Sequence, residues 1–446
     1  MNMTGLVLLA AYAALIAWVT VRCARSESAF FVNSRSSSAL AVAFSIIVSC
    51  VGASATIGVI GKAFALGTPA FWWLGCGSIG VSVLALLLSE KIRASGAYTM
   101  PEMTERFLGA PARPLISLII VIAWMGILAA QFAALRHILS ALTGLEGPGC
   151  LALSFGLIAL HATGGQAVIM RLDRLQVPLI LAGLGLVLAL LTAANPGWSA
   201  AVRFEAVNEA FPPETLFYYL LVVGGNYLVC PMLFGRFLSA GDARAARRGG
   251  LLAGAGLALC SLLIVAVGLA GQGLVPAATP EDGVFTAALD LAAPGALRPF
   301  ILLALVGAVV SSADTCLVTA ATVLCHDLLR RDGIASCRTA VACLGVTGLL
   351  ISLADKSILG FLLMAYDVYV CGVVVPVFLG LLAGPRRTVR AANACAAVVV
   401  GGCLGVASAL TGDALFSYLG MASAAACTLA GLRRDEGPVV FPSVPG

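Results

Sequence analysis

The chain has 446 residues, of which 61% are hydrophobic and 11% are charged, whereas a soluble domain carries roughly 25% charged residues. This composition excludes a water-soluble globular protein. The formal net charge of +5 comes mostly from short loops between apolar segments, so it gives no reason to expect nucleic-acid binding.

Apolar segments of about 20 residues recur along the chain, each long enough to cross the ~30 Å hydrocarbon core of a bilayer. They predict an all-α polytopic membrane protein that forms a single integral membrane domain over residues 1–446. We number thirteen predicted transmembrane helices as spans one to thirteen, with bounds at 3–22, 38–61, 68–90, 113–143, 149–165, 174–195, 214–240, 249–273, 298–326, 337–354, 357–384, 389–411 and 413–432.

Basic residues follow the odd-numbered spans, whereas the alternate loops are poor in Lys and Arg. Examples are Arg22 after span one, Lys91 after span three, Arg171 after span five, Arg244 after span seven and Arg433 after span thirteen. Because cationic loops stay in the cytoplasm, we expect the N-terminus outside and the C-terminus in the cytoplasm.

Patterns typical of enzymes and metal sites do not occur. The fourteen cysteines lie mostly singly within apolar spans and only three histidines accompany them, so this pattern predicts no metal site and no disulfide framework. Phosphate-binding, nucleophile-elbow, zinc-protease and dinucleotide motifs are also missing. We therefore expect no enzymatic activity, no catalytic residues and no cofactor.

Small residues and proline interrupt two spans. Span two reads SIIVSCVGASATIGVIG and span seven reads LLVVGGNYLVCPMLFG. Broken helices at matching positions of an inverted repeat form the binding site in many transporters, although small residues also simply allow close helix packing. The five-span separation predicts core repeats at about 38–195 and 214–384, with peripheral helices at 3–22, 389–411 and 413–432.

Span nine contains VVSSADTCLVTAAT, with hydroxyl groups along one helical face. Ala308, Ser311, Ser312 and Thr315 share that face because a helix turns about 100° per residue. Hydroxyl oxygens suit hard cations such as Na⁺, but they also hydrogen bond within helices and between them. Asp314 lies off this face, so we expect a structural or coupling role for it.

These segments resemble the sodium:solute symporter family, which includes the proline, pantothenate and glucose symporters. VVSSADTCLVTAATVLCHDLL resembles the family's ninth-span motif, and SIIVSCVGASATIGVIGKAFALG resembles its second span. YTMPEMTERFLG, TGGQAVIMRLDRLQ and YLVCPMLFGRFLSAGDARAARR match further family segments in the same order, over about 28–384.

The resemblance implies a LeuT-type core of two inverted five-helix repeats. It also implies Na⁺-coupled import of a small organic solute by alternating access, in a plasma membrane that we expect to be a bacterial inner membrane. The implied partners are the solute, Na⁺ and the lipid bilayer. Alternatives are a transporter-like solute sensor that signals through a partner, or a H⁺-coupled carrier that uses Asp367.

The family's principal sodium site corresponds here to the backbone carbonyls of Val48, Val51 and Ala308 and to the hydroxyls of Ser311 and Ser312. A second sodium-linked carboxylate, present in some members, would correspond to Asp173, and Asp314 is a second candidate for coupling.

Two positions depart from the family pattern. Cys50 stands where proline symporters carry an aspartate, and Leu172 stands where the family has a threonine. These departures argue against proline as the solute and leave a second sodium ion open.

The resemblance also points to nine solute-contact candidates, each with a structural alternative. Trp72 could equally lie in an interfacial aromatic belt, and Gln131 could simply bond a neighbouring helix. A lone intramembrane carboxylate at Asp367 suggests a counter-ion, a proton-coupling group or a cation ligand. The nine candidates are Ser49, Ser54, Thr56, Trp72, Gln131, Asn226, Tyr227, Tyr366 and Asp367.

Overall fold

The computed structural model describes residues 3–23, 27–293, 295, 297–331, 333–354, 356–384 and 387–434. Within these residues, each of the thirteen predicted spans coincides with an apolar helix or a bent pair of helices. In the described part of the chain, ten helices are long and apolar enough to cross a membrane: Met3–Arg22, Thr68–Leu87, Ala112–Thr143, Gly165–Ala194, Pro213–Leu238, Ala243–Ala270, Arg298–Leu328, Ile334–Ile351, Ile358–Leu382 and Ala391–Thr411. Span two is the pair Ala39–Cys50 and Ser54–Leu66, bent by 60°, and the shorter helices Pro148–Ala162 and Ala414–Ala430 are spans five and thirteen.

Short elements connect the spans. They include the α-helices Glu27–Val32, Ser89–Ala94, Met100–Leu108 and Val284–Ala292, and the 3₁₀ turns Asn33–Arg35, Trp198–Ala201 and Glu281–Gly283. The strands Arg387–Val389 and Leu432–Arg434 pair antiparallel and join the ends of spans twelve and thirteen.

Span nine lies at the centre of the helix bundle. In its most apolar stretch 94% of the residues are buried, compared with 72% for spans four and eleven and 28% for span one. The hydroxyl face of span nine therefore packs against protein rather than lipid, where its polar groups would be costly.

Both predicted helix breaks are present. Span two leaves helical geometry at Val51, with φ −90° and ψ 55°, and resumes in a π-helical turn that begins at Ser54. Span seven is interrupted at Val229, with φ −132° and ψ 84°, and the next helix begins at Pro231. Proline suits this start because it lacks an amide proton, and the first amides of a helix have no intrahelical partner.

A cluster of charged groups surrounds the C-terminal end of helix Arg298–Leu328, which contains span nine. Arg113 of span four lies 2.8 Å from both Glu105 and Asp327, and the Thr99 hydroxyl donates to Asp327 at 2.9 Å. Burial favours the neutral form of Glu102 in the connecting helix, but hydrogen bonds with His326 and the Tyr98 amide outweigh burial and lower its pKa. The cluster therefore ties helix Met100–Leu108 to spans four and nine.

We predict that Arg113→Ala destabilises the folded protein by about 3 kcal/mol, because it leaves the fully buried Asp327 carboxylate without its cation. The measurement is the thermal unfolding midpoint of the purified protein in detergent. Arg247→Ala is the matched control, since Arg247 and Glu90 form an exposed pair at 3.5 Å that contributes about 0–1 kcal/mol. Equal midpoints for the two variants would contradict the prediction.

Candidate functional site

The break in span two packs directly against the hydroxyl face of span nine. The Ser312 hydroxyl donates to the Ser49 carbonyl at 3.0 Å and lies 3.2 Å from the Val48 carbonyl oxygen. Val51 is the residue at which the helix ends, and Ala308 is buried one turn before Ser312. The structure thus brings carbonyl and hydroxyl oxygens, the groups that hard cations prefer, to one helix junction.

Ser311 faces a different neighbour from Ser312. Its hydroxyl donates to Asp173 Oδ1 at 2.6 Å, and the Ser45 hydroxyl donates to Asp173 Oδ2. Asp173 belongs to helix Gly165–Ala194, which contains span six, and Ser45 belongs to span two. The carboxylate therefore links this helix to spans two and nine beside the junction. The two serines therefore approach the junction from different sides, Ser312 beside the carbonyls and Ser311 beside the carboxylate.

Arg236 is a charged residue beside this junction that the sequence interpretation did not select. It is 1% exposed, lies 4.0 Å from Asp173, and donates to Thr315 at 2.6 Å and to Ser49 at 3.0 Å. A charged side chain inside an apolar span was the signal that could have identified it, because such residues are rare at membrane depth. Its guanidinium supplies positive charge near Asp173.

Asp314 lies away from the carbonyls of span two. Its carboxylate contacts Nδ1 of His161 in span five, and neither side chain is exposed. Its Oδ1 also accepts a hydrogen bond from the Thr315 hydroxyl at 3.2 Å, and a structural or coupling role for Asp314 stays a prediction. His161 was not selected from the sequence, where a single histidine in an apolar span gave no spacing to interpret.

A small central cavity lies between the breaks of spans two and seven. Its volume is about 30 Å³, far below the ~300–1,000 Å³ of typical ligand pockets. The side chains around it must therefore move apart before an organic solute can bind. Six predicted contact residues line it: Ser49, Ser54, Gln131, Asn226, Tyr227 and Tyr366.

The central cavity has no lining residue with a charged side chain, and two buried polar atoms beside it lack partners. Among the described residues, Asn226 Oδ1 and Trp124 Nε1 have no hydrogen-bond partner, and both residues line the cavity. Gln131 is different, because its Oε1 already accepts a hydrogen bond from the Ala53 amide at 3.0 Å. An unpaired acceptor and an unpaired donor are thus present where a solute could bind. Trp124 is a residue that the sequence interpretation missed.

Two predicted contact residues lie outside the cavity lining. The Thr56 hydroxyl donates to its own helix at the Gly52 carbonyl, at 2.9 Å. Trp72 Nε1 donates to the Ala206 carbonyl at 2.9 Å and so fixes the loop before span seven. The neighbouring Trp73 contacts the cavity wall instead, because its ring stacks on Tyr366 with a centroid distance of 6.1 Å.

Asp367 also lies outside the central cavity. Its Oδ1 accepts hydrogen bonds from the Tyr218 hydroxyl at 2.7 Å and the Ser417 hydroxyl at 2.6 Å. Adjacent residues of a helix point about 100° apart, so Tyr366 faces the central cavity while Asp367 faces spans seven and thirteen.

Solved structures of transporters share this fold. A Na⁺-coupled sialic acid symporter, in a substrate-bound outward-open state, is 15% identical with a TM-score of 0.81, over 96% of this chain and 98% of that chain. A transporter of the nucleobase-cation-symport-1 family, in a closed conformation with bromovinylhydantoin bound, is 15% identical with a TM-score of 0.64, over 91% and 94% of the two chains. These likenesses confirm the expected all-helical membrane fold with a LeuT-type core.

The sequence comparisons agree with the fold. No curated protein matches the chain, but the profile of the sodium:solute symporter family matches residues 30–379. This match spans both broken helices and the hydroxyl face of span nine. The chain therefore belongs to the sodium:solute symporter family and is a Na⁺-coupled symporter.

Proposed function

We propose that this symporter imports a small, uncharged polar solute together with Na⁺ by alternating access. The observation that carries the proposal is the pair of unpartnered atoms, Asn226 Oδ1 and Trp124 Nε1, beside a cavity whose lining includes no charged side chain. A buried polar group without a partner costs about 1–3 kcal/mol, which a solute with one donor and one acceptor would recover. Ser49, Ser54, Gln131, Tyr227 and Tyr366 complete the proposed contact set.

We assign the Na⁺ site to the carbonyls of Val48, Val51 and Ala308 and the hydroxyls of Ser311 and Ser312. The 3.2 Å approach of Ser312 to the Val48 carbonyl supports this assignment, because it brings two of the proposed oxygen ligands to one place. Na⁺ binding would join spans two and nine at the break and thereby favour one conformation of the bundle. An ion shifts a conformational equilibrium only if it binds one conformation more tightly than the other.

Asp173 is the proposed coupling carboxylate. It bonds Ser311, a proposed Na⁺ ligand, so charge at the ion site would act on it directly. Arg236 at 4.0 Å already supplies positive charge, which argues for a role in sensing the ion rather than in holding a second one. Asp314, paired with His161, supports span nine from the side of span five.

The same family membership supports a proposal for the wider organisation of the chain. We propose one transporter domain with core repeats at about 38–195 and 214–384 and peripheral helices at 3–22, 389–411 and 413–432. Its location would be the plasma membrane, a bacterial inner membrane, with the N-terminus outside and the C-terminus in the cytoplasm. We assign it no enzymatic reaction and no cofactor, since Na⁺ is a transported co-substrate.

Replacing both Ser311 and Ser312 by alanine should weaken Na⁺ binding at least about a hundredfold, because two oxygen ligands worth ~1.5–3 kcal/mol each to a charged partner are lost. The measurement is ²²Na⁺ binding to the purified protein by scintillation proximity, which needs no solute. Thr319→Ala removes a hydroxyl from the same span two turns away and should leave Na⁺ affinity unchanged. An unchanged affinity in the double variant would show that the ion binds elsewhere.

The solute class can be identified by thermal stabilisation of the purified protein with and without Na⁺, across sugars, polyols, amides, nucleobases, amino acids, carboxylates and amines. We expect Na⁺-dependent stabilisation by an uncharged polar compound, and counterflow of that compound in proteoliposomes. Stabilisation confined to charged compounds would contradict the proposed class.

Asn226→Leu should weaken binding of the identified compound about tenfold, because it removes a hydrogen bond worth ~1–1.5 kcal/mol. Asn393→Leu is the matched control, since Asn393 bonds the Cys427 carbonyl between spans twelve and thirteen. Equal affinities for the two variants would remove Asn226 from the solute site.

A further inference from the structure

A second cavity, distinct from the central one, lies between spans seven, eleven, twelve and thirteen. Its volume is about 590 Å³, which falls within the range of small-molecule pockets. It shares no lining residue with the central cavity. We call it the outer cavity, because it includes Gly412 and Asp413 of the loop between spans twelve and thirteen, at the end of the bundle predicted to face outside.

Asp367 is the buried acidic group of the outer cavity. Its side chain is only 5% exposed, yet it lines the cavity wall. The hydrogen bonds from Tyr218 and Ser417 both reach Oδ1, and the Ser417 hydroxyl also lies 2.9 Å from Ser408 Oγ. These hydroxyls fix the orientation of the carboxylate without neutralising it.

Positive charge is missing around this carboxylate. In the described part of the chain Asp367 forms no salt bridge, and the outer cavity has no Lys, Arg or His among its lining residues. Two further carboxylates, Glu214 and Asp413, lie at its exposed rim. Clefts of one charge with low-dielectric walls concentrate ions of the opposite charge, so the outer cavity favours a cation.

The walls indicate what kind of cation fits. Leu363, Met364 and Leu415 are apolar, and Tyr218 and Tyr418 present phenol rings. A bare metal ion needs oxygen ligands on most sides, and no group of three His, Cys, Asp or Glu that could hold a metal occurs in the described part of the chain. An ammonium group gains instead from both a carboxylate and aromatic faces, while its carbon skeleton suits apolar walls.

We propose that the outer cavity is a binding site for small organic ammonium compounds, with Asp367 as the counter-ion. The site is separate from the proposed Na⁺ and solute sites and does not depend on the identity of the transported solute. Asp367 and Tyr366 are adjacent on span eleven, and Asp367 lines the outer cavity whereas Tyr366 lines the central one.

The test uses the purified full chain at constant Na⁺ and pH 7, with 2-phenylethylammonium as the probe and uncharged 2-phenylethanol as its comparison. Isothermal titration should detect binding of the ammonium and at least tenfold weaker binding of the alcohol. Asp367→Asn should weaken ammonium binding at least tenfold, and Asp413→Asn, at the exposed rim, about two- to threefold, with a smaller salt dependence. Equal binding of the two probes would overturn the proposal.

Two controls keep the result specific. Glu90→Gln neutralises an exposed carboxylate outside the outer cavity and should leave ammonium binding unchanged. Asn226→Leu, in the central cavity, should also leave it unchanged, so failure of the proposed solute site would not affect this result. If Asp367→Asn elutes as a folded monodisperse protein and retains wild-type affinity, or if Asn226→Leu abolishes binding, the outer cavity is not the ammonium site.

Tyr218→Phe provides a second variant that keeps the aromatic ring. It removes the hydroxyl that donates to Asp367 at 2.7 Å and should change ammonium affinity less than Asp367→Asn does. If Tyr218→Phe abolished binding while Asp367→Asn had no effect, the carboxylate would not be the counter-ion and the proposal would fail.

Discussion

A break in a transmembrane helix is stable only where neighbouring helices satisfy the backbone groups that it releases. In span two, Gln131 accepts from the Ala53 amide and Ser312 donates to the Ser49 carbonyl, both at 3.0 Å. A Cβ on Gly52 would lie 2.6 Å from Ser312 Cβ and 2.9 Å from Gln131 Oε1, so this approach requires glycine. The proposed ion site and the central cavity both depend on this junction.

The buried charged groups and the proposed solute contacts lie in different parts of the helix bundle. The buried Asp173 and Arg236 lie beside the junction of spans two and nine, whereas the central cavity is lined by uncharged side chains. Ser312 belongs to both regions, because it lines the cavity and contacts the Val48 carbonyl. Coupling between ion and solute therefore needs no long pathway: one side chain borders both proposed sites, and the broken helix carries residues of each.

The direction in which individual side chains point could not be predicted from the sequence. Trp72 and Trp73 are equivalent by composition, yet only Trp73 stacks on Tyr366, while Trp72 bonds a loop. Asp367 was a strong candidate for the solute site because an intramembrane carboxylate is costly, but its position on span eleven turns it toward Ser417. Depth in the membrane follows from sequence position, whereas facing direction depends on which helices pack alongside.

The sequence by itself determined the membrane class, the spans, the two helix breaks and the polar face of span nine. Each of these depends on local composition and periodicity, because lipid requires long apolar helices and small residues or proline permit breaks. Only the tertiary structure decided which partner each polar group has: Ser311 with Asp173, Asp314 with His161, and Asp367 with Tyr218. These partners are far apart in the chain, and their meeting depends on how the helices pack.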